Sequence, residues 1–398
     1  MASATAANAG QSLTGLVEPT LSGVDATSSW LDRGYGKLNA GGNRDVTALR
    51  VALAYRLDLL DTLALHVGGD AFAGAHSLAG VDEAYLAWMP VPRSPLRYRM
   101  RAGVFLPPLS LENVATGWTT PYTLTPSLLN DWLGEELRVE GAEFAVLRPG
   151  APAGSPYSVS FRLGTFHGND TAGTMLAWRG WAANDRVTPL NHTLPVPDSP
   201  AFWPGGPFQG AKTSTDPFLS VDRRLGFYLA GEWQYLSRVR ILAAHYDNRA
   251  NPAAFADGQI GWHTRFDELG LIWKPAPPLT VIAQYLEGNT LAGHYATPRS
   301  VYNEFASWFV LVSASQGPHR LSLRYEKFRV NDEDPTPLDN NNESGHAWTL
   351  AYLFALREHI SLGTEYLRID SSRPIRSALG EPVAVSEQQL RFSLRYGF

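Results

Sequence analysis

No cysteine occurs in the 398 residues, which excludes disulfide frameworks, thiolate metal sites, thiol nucleophiles and c-type haem attachment on this chain. The absence fits an oxidising compartment, where a free thiol is a hazard. Lysine is almost missing as well: Lys37, Lys212, Lys274 and Lys327 are the only ones, and arginine supplies the other twenty-nine of the 33 basic residues. With a net charge of -5 and no basic tract interleaved with aromatics, nucleic acid is not an expected partner. Long hydrophobic runs are absent too. A chain that is 44% hydrophobic, with mean hydropathy -0.17, has no stretch of about eighteen apolar residues and so no expected transmembrane helix.

Signatures of common enzymes are also missing: there is no Gly-x-Ser-x-Gly elbow, no His-Glu-x-x-His and no P-loop. His66 with Asp70 and His245 with Asp247 are the nearest acid-base pairs, each on one strand face, where a polar lining role is the simpler reading. No catalytic residue and no cofactor is assigned. The acidic stretches 331–334 and 339–343 offer oxygen ligands for Ca2+ but lack the EF-hand spacing and its glycine. No metal is assigned there, and a solvated loop is expected. Residues 1–12 have neither the basic end nor the apolar core of a secretory signal, yet are rich in small residues like those flanking a cleavage site. They read as the N-terminal tail of a mature chain, a cytosolic start with a disordered tail being the alternative.

What is present is alternation. From about Val46 onward, segments of ten to fifteen residues alternate apolar and polar positions, the period of strands with two unlike faces. At the end of the chain Leu390, Phe392, Leu394, Tyr396 and Phe398 share one face, and Arg391, Ser393, Arg395 and Gly397 share the other. Aromatics recur near segment ends, among them Tyr55, Trp88, Tyr98, Trp233, Trp273, Tyr285, Tyr325, Tyr352 and Tyr366. A barrel in lipid turns its apolar face outward and collects aromatics at the two water interfaces. Sixteen strands are expected, at 13–24, 46–57, 63–71, 80–90, 95–106, 135–147, 157–166, 224–236, 238–247, 259–274, 278–288, 300–315, 319–330, 345–356, 359–370 and 385–398. Short and long connections alternate between them, the short link 72–79 being the exception on the long side. The pattern predicts an all-β fold, one transmembrane antiparallel barrel over 13–398, with short periplasmic turns and long extracellular loops.

With the alternation, the sorted loops and the terminal Leu394, Arg395, Tyr396, Gly397 and Phe398 on the page, the chain resembles Gram-negative outer-membrane porins of the general-diffusion type. The resemblance implies that Phe398, Tyr396 and Leu394, with Phe392 before them, form the signal read by the barrel-assembly machinery. It also implies outer-membrane localisation, contact with membrane lipid and lipopolysaccharide, and a homotrimer. The loop 168–181 matches nothing whose role carries over.

If apolar positions face lipid, the positions between them face the lumen. Arg97, Arg99 and Arg101 then form a ladder up one wall, and the same parity turns Arg50, Arg56, Arg138, Arg162, Arg224, Arg324, Arg391 and Arg395 inward. Inward acids are fewer: Glu140, Glu232, Glu326 and Glu365. Arginine facing hydrocarbon at mid-membrane costs about 2 to 4 kcal/mol, so this face requires water. A closed barrel filled by ion pairs is the alternative. The connection 107–134 is where general porins fold a loop inward, and its acids Glu112 and Asp131, with Glu135 and Glu136 at its exit, would face the arginine wall across a constriction. The longest connection, 167–223, is expected to hold a short helix within 174–183 and then extended, proline-rich chain, forming a lid over the mouth. The expected function is passive diffusion of ions and small polar solutes with weak anion preference. The alternatives are a barrel that sheathes a partner protein without free conduction, or a lipid-modifying barrel enzyme.

Overall fold

The computed structural model describes residues 6–8, 10–294, 297 and 299–398. Sixteen strands make up the barrel. The first eight are β1 (Gln11–Ala26), β2 (Gly42–Leu60), β3 (Leu63–Ala73), β4 (Leu78–Trp88), β5 (Arg97–Phe105), β6 (Val139–Arg148), β7 (Tyr157–His167) and β8 (Gly226–Tyr235). The second eight are β9 (Val239–Asp247), β10 (Trp262–Trp273), β11 (Leu279–Ala292), β12 (Val301–Gln316), β13 (His319–Asp332), β14 (Glu343–Arg357), β15 (Ile360–Ser372) and β16 (Ala384–Gly397). Each pairs antiparallel with its sequence neighbour, and β1 also pairs with β16, as in Thr20 opposite Ser393. Closure leaves no open sheet edge. Ahead of β1, Ala6–Asn8 folds back on residues 11–13, inside the stretch read as a tail.

All sixteen expected strands are present, with ends that differ by a few residues. The exposure pattern is inverted relative to a water-soluble barrel. On β16, Leu390 is 44% and Phe392 51% exposed, while Arg391 and Ser393 are 5% and 6% exposed. Leu, Val and Phe side chains on β2, β7, β12, β13 and β14 are likewise open on the outside. Such a face is stable only against lipid. Among the described residues no helix is long and apolar enough to cross a membrane, so the strands do the crossing.

The connections sort by end. On one side the turns are short, such as 61–62, 317–318 and 358–359; on the other lie loop 1 (27–41), loop 2 (74–77), loop 3 (106–138), loop 4 (168–225), loop 5 (248–261), loop 6 (293–300), loop 7 (333–342) and loop 8 (373–383). Loop 3 carries α1 (Leu128–Glu136) and loop 4 carries α2 (Thr174–Trp178). Ser127 caps α1, its hydroxyl accepting from the Asn130 amide. Glu135 and Glu136 therefore lie on this helix and not at the start of a strand: β6 begins three residues later, at Val139.

Candidate functional site

The inside of the barrel is built by loops 3 and 4. All nine residues of α1 are buried, and Trp132 packs edge-on against Trp181 of loop 4 and Phe266 of β10, with Phe305 of β12 close by. Phe105, Val139, Phe166, Tyr228, Tyr246 and Phe328 complete an apolar core that lies within the barrel wall. Here the rule that apolar positions face lipid reverses, because the strand ends toward the loops pack on loop side chains and not on water.

Three assignments are corrected, one by this reversal and two by where the strands begin. Glu140, expected inward, is on the outer face, where its carboxylate lies 3.8 Å from His167; the inward acid of β6 is Glu143. Arg138 is in loop 3 and not on a strand, fully buried, donating to the carbonyls of Gly134 and Thr188. Arg224 precedes β8 and is exposed beside Asp222.

The remaining arginines lie on the inner face, in three settings. Arg324 is buried on β13, pairs with Glu326 at 2.7 Å, and donates to the carbonyls of Thr125 and Pro126. Arg395 pairs with Glu18 and donates to the carbonyls of Thr120, Thr123 and Leu124. Both thus clamp loop 3 to the wall. Glu326 and Glu365 add to the clamp by accepting the amides of Leu128 and Leu124, as Gln284 does for Leu111. Arg50 bridges Asp70, the carbonyl of Gly117 and the carbonyl of Asp185, while Arg391 pairs with Asp185 at 2.9 Å. Arg101 is enclosed by Glu143, whose carboxylate also accepts from Tyr228; the register sets Arg101 directly opposite Glu143.

Only the third group faces open space. Arg97, Arg99, Arg162, Arg238, Arg240 and Lys274 line a cavity of about 840 Å3 at the short-turn end, against the single carboxylate of Glu232. Glu232 ties Arg162 and Arg240, whereas Arg97, Arg99 and Arg238 have no carboxylate partner among the described residues. Arg56 sits at the same end beside Asp58, both partly exposed.

The loop acids are turned away from this space. Glu112 accepts from the Ser127 amide and lies 3.7 Å from Arg324. Asp131 accepts from the Asn184 amide, and burial pushes its carboxyl well above the usual range. Glu135 holds Arg179 through both oxygens, at 3.0 and 2.7 Å. Glu136 accepts from Trp132 and from the amides of Gly173 and Met175, and burial pushes it up to about 7. These groups join loop 3 to loop 4 or to the wall. Sequence reasoning did not find Asp185, Arg179, Glu143 or Gln284; the first two depend on where loop 4 folds, the last two on register.

The acid-base pairs considered in the sequence do not form. Asp70 is held by Arg50, and His66 stacks on Tyr85. His245 pairs with Asp267, and Asp247 pairs with His263. In loop 7, Asp334 accepts the amides of Tyr302 and Thr336. Among the described residues no group of three or more His, Asp or Glu side chains is set to hold a metal ion.

An apolar exterior, a closed sixteen-strand sheet and a polar end of the lumen define a transmembrane β-barrel. Its fold is that of the outer-membrane porins. The outer membrane channel DcaP of Acinetobacter baumannii has a TM-score of 0.56 at 12% identity, covering 98% of this chain and 99% of that one. Salmonella typhi OmpF, in complex with daunomycin, has 0.54 at 10%, covering 99% and 100%. An anion-selective porin from Comamonas acidovorans has 0.50 at 11%, covering 98% and 99%. No protein-family model and no curated protein sequence matches the chain.

Proposed function

We propose that this chain is a porin of the bacterial outer membrane that passes ions and small polar solutes by diffusion, with weak anion preference. The carrying observation is the cavity at the short-turn end, where six cationic side chains face one carboxylate. Such a surplus raises the local concentration of anions and lowers that of cations, the more so between low-dielectric walls. In this reading loop 3 is the constriction and loop 4 the lid above it. Conduction and not catalysis is the role, and the similarly folded Comamonas acidovorans protein is described as anion-selective.

The test is a reversal potential in a salt gradient across a planar bilayer. Chloride should be modestly favoured over potassium, and Arg97→Gln with Arg99→Gln should reduce or abolish that preference. A wild-type reversal potential favouring potassium would sink the anion reading. Arg101 is a poor substitute target, since its loss strands Glu143 in a buried site.

A homotrimer is part of the proposal, supported by the likeness to Vibrio cholerae OmpT, described in a trimer form (TM-score 0.52, 9% identity, 98% and 99% of the two chains covered). Mass measurement of the detergent-solubilised protein checks it. The Phe398 signal, the assembly machinery and lipopolysaccharide contacts belong to the same proposal. One observation favours the second reading, a barrel without free conduction: the packed core of loops 3 and 4 inside the wall. Stable open steps in single-channel records separate the two.

A further inference from the structure

Arg391 differs from the other buried wall arginines. Arg50 has Asp70, Arg395 has Glu18, Arg324 has Glu326 and Arg101 has Glu143, each an acid supplied by the barrel wall. For Arg391 the cross-strand neighbour Glu365 turns one oxygen to the amides of Leu124 and Thr125, and its other oxygen, buried without a hydrogen-bond partner, makes no ion pair with Arg391. The only carboxylate within ion-pairing distance, among the described residues, is Asp185 of loop 4, at 2.9 Å. One Arg391 nitrogen, Nε, is buried with no partner at all.

Asp185 is held as a ligand would be. One carboxylate oxygen meets Arg391 and the other accepts from Asn39 of loop 1. Its carbonyl accepts from Arg50 at 2.9 Å. Burial raises the carboxyl, but the guanidinium groups of Arg391, Arg186 and Arg50 outweigh it and keep the group below the usual carboxylate range. Arg391 and Arg50 flank β1 on the inner wall. The carboxylate that completes this cradle is carried on loop 4 just past Trp181 and Ala183, which anchor the loop in the apolar core, so the Asp185 side chain can leave its partners while that anchor stays in place.

The geometry points to a carboxylate-binding subsite on the lumen wall, formed by Arg391 and Asn39 beside Arg50 and filled in this state by the chain's own Asp185. A small organic carboxylate in transit competes with the Asp185 side chain for Arg391 and Asn39, and winning that competition frees this stretch of loop 4 from β16. The inference rests on the porin reading, since the solute must reach the lumen.

Acetate is the probe, followed in two ways: block of single-channel chloride current, and saturation-transfer NMR on the detergent-solubilised protein, which needs no conduction. Asp185→Ala should bind acetate at least about tenfold more tightly than wild type, because a charge-assisted contact is freed, and Arg391→Gln added to it should erase the gain. Equal acetate binding by wild type and Asp185→Ala overturns the subsite, as does a gain that survives Arg391→Gln. A tighter NMR response with no protein conducting leaves the subsite standing and sinks the porin reading instead. The isosteric Asp185→Asn, which should give a smaller gain of the same sign, covers the case in which Asp185→Ala fails to fold. In addition, oxidised Asn39→Cys with Asp185→Cys should tie this stretch of loop 4 to loop 1, and a reductant should restore larger currents; the absence of any redox effect would oppose its release.

Discussion

Gly117 sits where loop 3 touches the wall, with its carbonyl on Arg50 and φ at +69°. A Cβ there would lie 2.4 Å from the Ala52 methyl, a contact that backbone and wall cannot both keep. Gly117→Val should therefore push this stretch of loop 3 off β2 without touching the strand ladder. The expected outcome is a changed single-channel conductance in a barrel that still resists unfolding in detergent; an unchanged conductance would place this contact outside the solute path. Individual residues also mark the limits of reading the sequence. Arg97 and Arg99 could be placed from alternation alone, because their segment keeps the same lipid and water faces. Glu140 could not, since Val139 points inward at a packed loop and mimics a lipid-facing residue.

At the scale of elements, α1 is seated by groups whose charge is sensitive to pH. Glu136 is pushed up to about 7 by burial, so the folded state prefers its protonated form. A raised carboxyl contributes stability that is fully present below the usual carboxylate range and is lost as pH rises through about 7. Amide exchange over residues 128–136 and 173–175, corrected for intrinsic rates, should be slower at about pH 5 than at about pH 8.5. Equal protection at the two values would show that Glu136 does not govern how α1 docks on loop 4. The helix itself was hidden in the sequence. Leu128, Leu129, Trp132 and Leu133 share a face, but Asn130, Asp131, Glu135 and Glu136 are buried as well, because every side of α1 meets protein inside the barrel.

For the whole molecule, stability depends on the seam where β16 returns to β1. The ladder there skips Pro19, which has no amide to donate. Backbone bonds between Gly15 and Phe398 hold the final residue, and the Phe398 ring lies over Gly15, where a Cβ would come within 2.3 Å of it. Gly15→Val should displace that ring and lower the yield of folded barrel, read as the fraction that migrates as the compact form on an unheated detergent gel. A yield equal to wild type would mean that the ring contact does not matter for closure. Since the terminal residue lies in this seam, the same gel on a chain lacking Phe398 should show a loss at least as large.

The sequence alone determined the strand count, the lipid-facing parity over most of the wall and the sorting of long from short connections. These follow from a period of two, which is local and repeats sixteen times. Only the tertiary structure decided which arginines meet water. Whether a guanidinium lines a cavity, clamps loop 3 or holds Asp185 depends on where two loops fold inside the barrel, and those contacts join residues more than a hundred positions apart. No local pattern encodes them.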